Sequence, residues 1–254
     1  TAVNIDTLDL SSSNRNVSIT TGSDVFSQAF TFSGGSRNDT LDLDGATVAA
    51  GTVFVVGQDQ DVLILNADAV STTVRTNATN SDNAFSILDD ATTAHTASFT
   101  SGSDRFDYNG SLSHGGVGAV VAASGASLQA AVAADDDATV YVIVDPDGDN
   151  AFEAALNSFA DNVGNDSADA LESSAQASGL LNYSGLDAAF ASGEIVLLAI
   201  DLESNEEATT ANNGGTAVYR FENTNTSTVD TVLSSELELI GVFQDAALIG
   251  ADFV

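Results

Sequence analysis

The chain contains no cysteine, no methionine and no tryptophan, and its 5 basic side chains are all arginine. Without cysteine there is no disulfide framework, and with methionine also missing there is almost nothing to oxidise. The absence of cysteine identifies no compartment by itself. Arg15, Arg37, Arg75, Arg105 and Arg220 are scattered, and phosphate binding rests on clustered Lys and Arg, so nucleic acid is a poor partner. Long apolar runs are missing as well. The longest uncharged, apolar-leaning stretch, Gly115 to Ala134, is built of Ala, Gly, Ser and a few Val rather than Leu, Ile and Phe, so the chain is not expected to be membrane-embedded. No amino-terminal signal peptide is visible, and an opening on Thr1 rather than Met suits a processed protein or a piece of a longer one.

What remains is acid. The 37 carboxylates outnumber the arginines so far that the formal net charge is −32. A folded domain with this much like charge repels itself. Either high salt screens it, or hard divalent cations bind its carboxylate and carbonyl oxygens at defined places. That favours a location outside the cell, where calcium is plentiful. A length of 254 residues suits one large or two modest domains, and an apolar content of 43% is enough to fill a core.

All nine glutamates lie at or after Glu153, whereas residues 1–152 use only aspartate. Asp favours turns and caps while Glu tolerates helices, so the expected fold class is mainly β in two parts. Residues 1–112 read as a β-rich, repeat-like module, either a β-sandwich or a β-solenoid. Residues 113–137 read as a Gly/Ala/Asp-rich connector, and residues 138–254 as a small α+β domain. In the first part, ten short runs follow Gly/Asn/Asp turns: TLDL (Thr7), VSIT (Val17), AFTF (Ala29), TLDL (Thr40), TVFVV (Thr52), VLIL (Val62), TTVRT (Thr72), FSIL (Phe85), ASFT (Ala97) and RFDY (Arg105). Strands this short and this regularly spaced imply an all-β module. An Asp recurs just ahead of an apolar residue at Asp6, Asp24, Asp39, Asp61 and Asp104, at intervals of roughly two rungs of a solenoid. In the second part, strands are expected at Ala138 to Asp145, Glu194 to Leu202, Thr216 to Asn223 and Glu236 to Phe243, forming a mainly antiparallel sheet. Helical patterns at Phe152 to Phe159, Ala168 to Ala177 and Leu186 to Phe190 would cover one face, and Asn213-Gly214-Gly215 suits a hairpin loop.

Two segments could hold a metal. GGSRNDTLD (Gly34 to Asp42) fits the calcium nonapeptide G-G-x-G-x-D-x-U-x except at its third glycine, which is Arg37. There Asp39 either binds calcium or caps a turn. DPDGDN (Asp145 to Asn150) places Asp145, Asp147 and Asp149 at the i, i+2, i+4 spacing that wraps oxygens around calcium, with Glu153 as a further carboxylate; the alternative is a solvated loop capping a helix. Catalytic sets are scarce. The histidines, His95 and His114, sit in polar or Gly-rich sequence, and no G-x-S-x-G, H-E-x-x-H or P-loop pattern occurs. Paired carboxylates alone do not make a glycosidase, and a chain with no Trp and four Tyr offers little for sugar stacking. No enzyme activity is expected. Seven N-x-[ST] sequons, including Asn16, Asn38 and Asn109, give weak support to extracellular life.

The segment Thr216 to Val254 carries a Y-R-F-E-N strand, an N-T/S-T-x-D linker, an E-L-x-L-I-G strand and a terminal Asp252-Phe253-Val254. It resembles the carboxy-terminal region of bacterial proteins exported by type I secretion, the group that includes RTX and S-layer proteins, and Gly34 to Asp42 points the same way. The resemblance implies an uncleaved carboxy-terminal export signal, calcium as the folding cofactor and a place outside the cell or on its surface. With no convincing catalytic set, the expectation is an extracellular structural protein. It would associate with copies of itself through strand edges, with calcium, as a surface layer, filament or matrix. The alternatives are a calcium-dependent adhesin or ligand-binding module of a larger secreted protein and, less favoured, a secreted hydrolase.

Overall fold

The computed structural model describes residues 2–65, 70–76, 85–88, 99–113, 119–122, 138–144, 190–201, 215–224, 236–244 and 246–254. They are mainly β and fall into two units: Thr1–Gly110 with Gly241–Ala246 and Ala251–Val254, and Ser111–Ile240 with Ala247–Gly250.

The first unit is a solenoid of short parallel strands. They are β1 (Ala2–Val3), β2 (Thr7–Asp9), β3 (Ser18–Thr20), β4 (Val25–Phe26), β5 (Thr31–Ser33), β6 (Thr40–Asp42), β7 (Val53–Val55), β8 (Val62–Ile64), β9 (Thr73–Arg75), β10 (Phe85–Leu88) and β11 (Arg105–Asp107). Each coil sends one strand to each of two sheets. One sheet has the order β2-β5-β7-β9-β11, and the other runs β3-β6-β8-β10 and then takes residues 241–243 of a later strand beside β10. A third, shorter line is β1 beside β4, which Thr47 extends by a bridge to Val25. Every one of these pairs is parallel, so the solenoid reading holds and the sandwich does not.

Parallel, in-register stacking puts like residues above one another. Leu8, Phe32, Phe54, Val74 and Phe106 make one column, and Ile19, Leu41, Leu63, Ile87 and Phe243 make the other. Side chains alternate across a strand, which is why the middle residue of β5 to β9 and of β11 is buried while its neighbours are half-exposed. Each fully buried aromatic contributes about 1.5–3 kcal/mol by leaving water. Phe243 gathers the rings of Phe85, Phe99 and Phe106 at 5.4, 4.9 and 5.4 Å, and Phe253 joins Phe106 at 5.8 Å.

The two ends of this unit differ. At the last coil, Phe253 bridges to Phe106, and the Val254 N–H donates to the Phe106 carbonyl at 3.0 Å. Asp252, fully buried, accepts the Gly102 N–H and the Ser101 hydroxyl, each at 2.7 Å. At the first coil, β1, β2 and β3 are the terminal strands of their lines, and β2 and β3 are exposed at both flanking positions.

Nine of the ten expected runs contain strands. The exception is ASFT: its described residues, Phe99 and Thr100, are not in a strand, because Phe99 turns its ring into the core and the Thr100 N–H is taken by Asp104 at 2.7 Å. The aspartates noted at strand starts do stand there, directly before β2, β4, β6, β8 and β11. Their spacing follows coils, each with two main strands; Ser18, Thr40 and Val62 are partners across successive coils.

The second unit contains β12 (Ala119–Ala122), β13 (Val140–Val144), β14 (Ile195–Asp201), β15 (Gly215–Glu222) and the first half of β16 (Leu237–Gln244), whose second half belongs to the first unit. All four expected strands are present. β12 was not expected: it lies within the 113–137 stretch read as connector, where the surrounding Gly, Ala and Ser obscured the strand preference of Val120 and Val121. The sheet is also less antiparallel than expected, since β12 with β13 and β13 with β14 are parallel and β14 with β15 is antiparallel. Parallel neighbours need a long crossover, and the chain between β13 and β14 supplies one. The runs Val140 to Ile143 and Val196 to Ile200 are buried on both faces, as continuous apolar strands in a parallel sheet should be. Phe190 packs on Tyr141 and Phe221, both at 5.4 Å. The expected α+β character finds no support among the described residues, whose helical content beside Glu236 is a 3-10 turn at Gly250–Asp252. Apart from Phe190, which is not helical, the three expected helices lie outside those residues.

Candidate functional site

The turns from the first sheet to the second stack into a row that concentrates the chemistry of the solenoid. Residues 13–17, 35–39 and 57–61 lie one above another. The register is fixed by bonds from the Ser36 N–H to the Ser13 carbonyl, the Thr40 N–H to the Val17 carbonyl, the Gln58 N–H to the Gly35 carbonyl and the Val62 N–H to the Asp39 carbonyl. Position by position the row reads Ser13, Gly35, Gly57; Arg15, Arg37, Asp59; Asn16, Asn38, Gln60; and Val17, Asp39, Asp61.

Asp39 and Asp61 perform the same task on successive coils. Asp39 Oδ2 accepts the Gly35 N–H of its own turn at 2.7 Å, and Oδ1 accepts the Val17 N–H of the coil before at 2.9 Å. Asp61 Oδ2 accepts the Gly57 N–H at 2.7 Å, and Oδ1 accepts the Asp39 N–H at 2.8 Å. Each carboxylate thus closes its own turn four residues back and clamps the preceding coil. Both are buried, at 3% and 4% exposure, where unsatisfied N–H groups would be costly. Asp104 repeats the device before β11, accepting the Thr100 N–H and both the N–H and the hydroxyl of Thr72.

The glycines are needed because the turns nearly touch. A Cβ on Gly57 would collide with the Gly35 carbonyl oxygen, and one on Gly35 would lie 2.9 Å from the Ser13 oxygen. Asp59 adopts a φ of 68°, the left-handed region that Asp tolerates better than most residues. Burial pushes the Asp61 carboxyl up to about 7; the charges of Asp39 and Asp59 add to the rise, and the two N–H donors oppose it.

Of the residues predicted to bind metal, Asp39 is described, and both of its oxygens face backbone donors. Asp145, Asp147, Asp149 and Glu153 lie outside the described residues, as do His95 and His114. Among the described residues, no cluster of three or more acidic or histidine side chains is arranged to hold an ion. The structure pairs Asp39 with Asp61, which sequence reading noted as a repeat but did not place in a site. The missed signal is a glycine four residues ahead of the aspartate, in GGSRNDTL and again in VGQDQDVL.

The arginines divide into two kinds. Arg75 pairs with Asp107 at 2.7 Å, Arg105 lies 4.0 Å from Asp252, and Arg220 reaches Glu222 and Glu238 at 2.6 and 3.6 Å. Arg15 and Arg37 are exposed and pair with no described carboxylate. The sequon asparagines Asn16, Asn38 and Asn109 are likewise exposed.

No protein-family model, no curated protein and no solved structure matches the chain.

Proposed function

We propose that this is an extracellular structural protein that assembles with copies of itself, aided by calcium, into a surface layer, filament or matrix. The observation that carries the reading is the first coil. Its three strands end their parallel lines, and such edges present unpaired N–H and C=O groups that a further strand satisfies. Lysine, the usual guard of an exposed edge, is missing from the whole chain. A net charge of −32 would oppose contact between copies, and divalent cations bound by carboxylates would relieve it. Asp145, Asp147, Asp149 and Glu153 are the proposed ligands, in a small C-terminal domain for which helices remain part of the proposal. The likeness of the tail to type I-exported proteins supports a location outside the cell or on its surface.

Electron microscopy and light scattering of the purified protein, with calcium and after chelation, test this reading. Ordered polymers that form with calcium and dissolve on chelation are expected. A protein that stays monomeric at high concentration with calcium would overturn it.

A further inference from the structure

We propose that Arg15 and Arg37 form a docking element on the first two coils that receives carboxylates from a second copy of this chain. The inference rests on the self-assembly reading and deepens it by naming the surface and the chemistry of its partner.

The argument begins with scarcity. In a chain of 37 carboxylates and 5 arginines, three arginines are held by carboxylates of their own fold. The other two, both exposed, share one position of the turn row. Strands stack about 4.8 Å apart, so the two arginines leave the turn row at the same position of adjacent coils. Like charges about that far apart repel by about 1 kcal/mol even in water; Asp59 shares their position one coil beyond Arg37, and no described carboxylate lies within ion-pair distance of either arginine. The backbone beneath both arginines is held by hydrogen bonds, since Asp39 accepts the Gly35 and Val17 N–H groups and the Ser36 N–H donates to the Ser13 carbonyl. The pair is therefore presented by the fold.

Position identifies the occupant. The row continues from Arg37 to Asp59 on the inner side, so the fold itself sets a carboxylate one coil from Arg37. Arg15 stands in the outermost coil, beside the edge of β3. A strand added to that edge would bring its own turn residue alongside Arg15, as Asp59 stands alongside Arg37. A planar guanidinium donates two parallel N–H bonds to a carboxylate, and the surface richest in carboxylates available at high local concentration is another copy. Two arginines in the one row that meets the edge would also favour a single alignment, because complementary charge fixes register and speeds encounter more than it adds affinity.

The test compares wild type with Arg15→Glu/Arg37→Glu in sedimentation velocity and light scattering, with calcium, over a series of sodium chloride concentrations. Both side chains are exposed, so circular dichroism and thermal melts should match wild type and certify the fold. The variant should need about tenfold more protein to assemble, the loss of roughly one useful charge pair, and the conservative Arg15→Lys/Arg37→Lys variant should fall between. Salt screens the general repulsion in both proteins but screens the arginine-carboxylate attraction in wild type alone, so added sodium chloride should help assembly of wild type less than that of the Glu variant. If wild type assembles and the Glu variant does so at the same concentration and with the same salt dependence, this inference fails while the self-assembly reading stands. If wild type never assembles, the reading fails and takes the inference with it.

Discussion

Asp61 offers the most demanding test of how the coils are held together. Its carboxyl group is 4% exposed, lies between the Gly57 and Asp39 N–H donors, and titrates near 7 rather than at 3.8. Between those two values the folded chain holds a proton that the unfolded chain has released. Stability from this group is therefore fully present below the unfolded value and is lost as pH rises through about 7. At about 1.36 kcal/mol per unit, the loss from about pH 5 to about pH 8 is roughly 2.5 kcal/mol. Acidification also relaxes the general repulsion of a −32 chain, so the wild-type slope alone proves nothing. Asp61→Asn isolates the group, because the amide is nearly the same size and does not titrate. Urea denaturation followed by circular dichroism at about pH 5 and about pH 8 should give a pH dependence about 2.5 kcal/mol smaller in the variant than in wild type. The variant should be less stable than wild type at the lower pH, where its amide turns an N–H₂ toward one of the two donors and leaves it unsatisfied, at about 1–3 kcal/mol. Parallel pH profiles for the two proteins would refute the reasoning.

Three further outcomes follow from the same geometry. Gly57→Ala drives a methyl group into the Gly35 carbonyl and should lower stability by about 1–3 kcal/mol, whereas Gly22→Ala, with open space around its Cβ, should change the thermal midpoint little. Phe243→Ala empties the centre of the ring cluster formed with Phe85, Phe99 and Phe106 and should cost about 3–5 kcal/mol in chemical denaturation. Chelation should lower the melting temperature more than sodium chloride at matched ionic strength restores it, since coordination acts on the folded state by mass action and salt acts on repulsion alone; equal rescue by sodium chloride would assign the acidity to salt adaptation.

The polar-apolar alternation of TFS and TLD and the β-branched and aromatic runs VFV and VLI, each following Gly, Asn or Asp turns, were enough to mark short strands, because strand propensity and turn chemistry are local properties of the chain. The continuous runs VYVIV and IVLLAI likewise announced strands, while their burial on both faces and their parallel pairing emerged from the packing. The repeated Asp ahead of an apolar residue carried the capping chemistry of Asp39, Asp61 and Asp104. Pairing is not local. Whether TLD at Thr40 meets a parallel or an antiparallel neighbour depends on loop lengths and on the close approach of Gly35 to Gly57, so sandwich and solenoid stayed equivalent until the coils were stacked. Stacking alone aligned Arg15 with Arg37, placed Asp61 against Asp39 and raised its pKa by shared burial. It also brought Phe253 and Asp252 from the end of the chain onto Phe106, Ser101 and Gly102. Composition therefore determined that the chain is acidic and mainly β. Tertiary packing decided which of its charges are buried, paired or left facing outward, because that choice is made by neighbours 22 to 151 residues away in sequence.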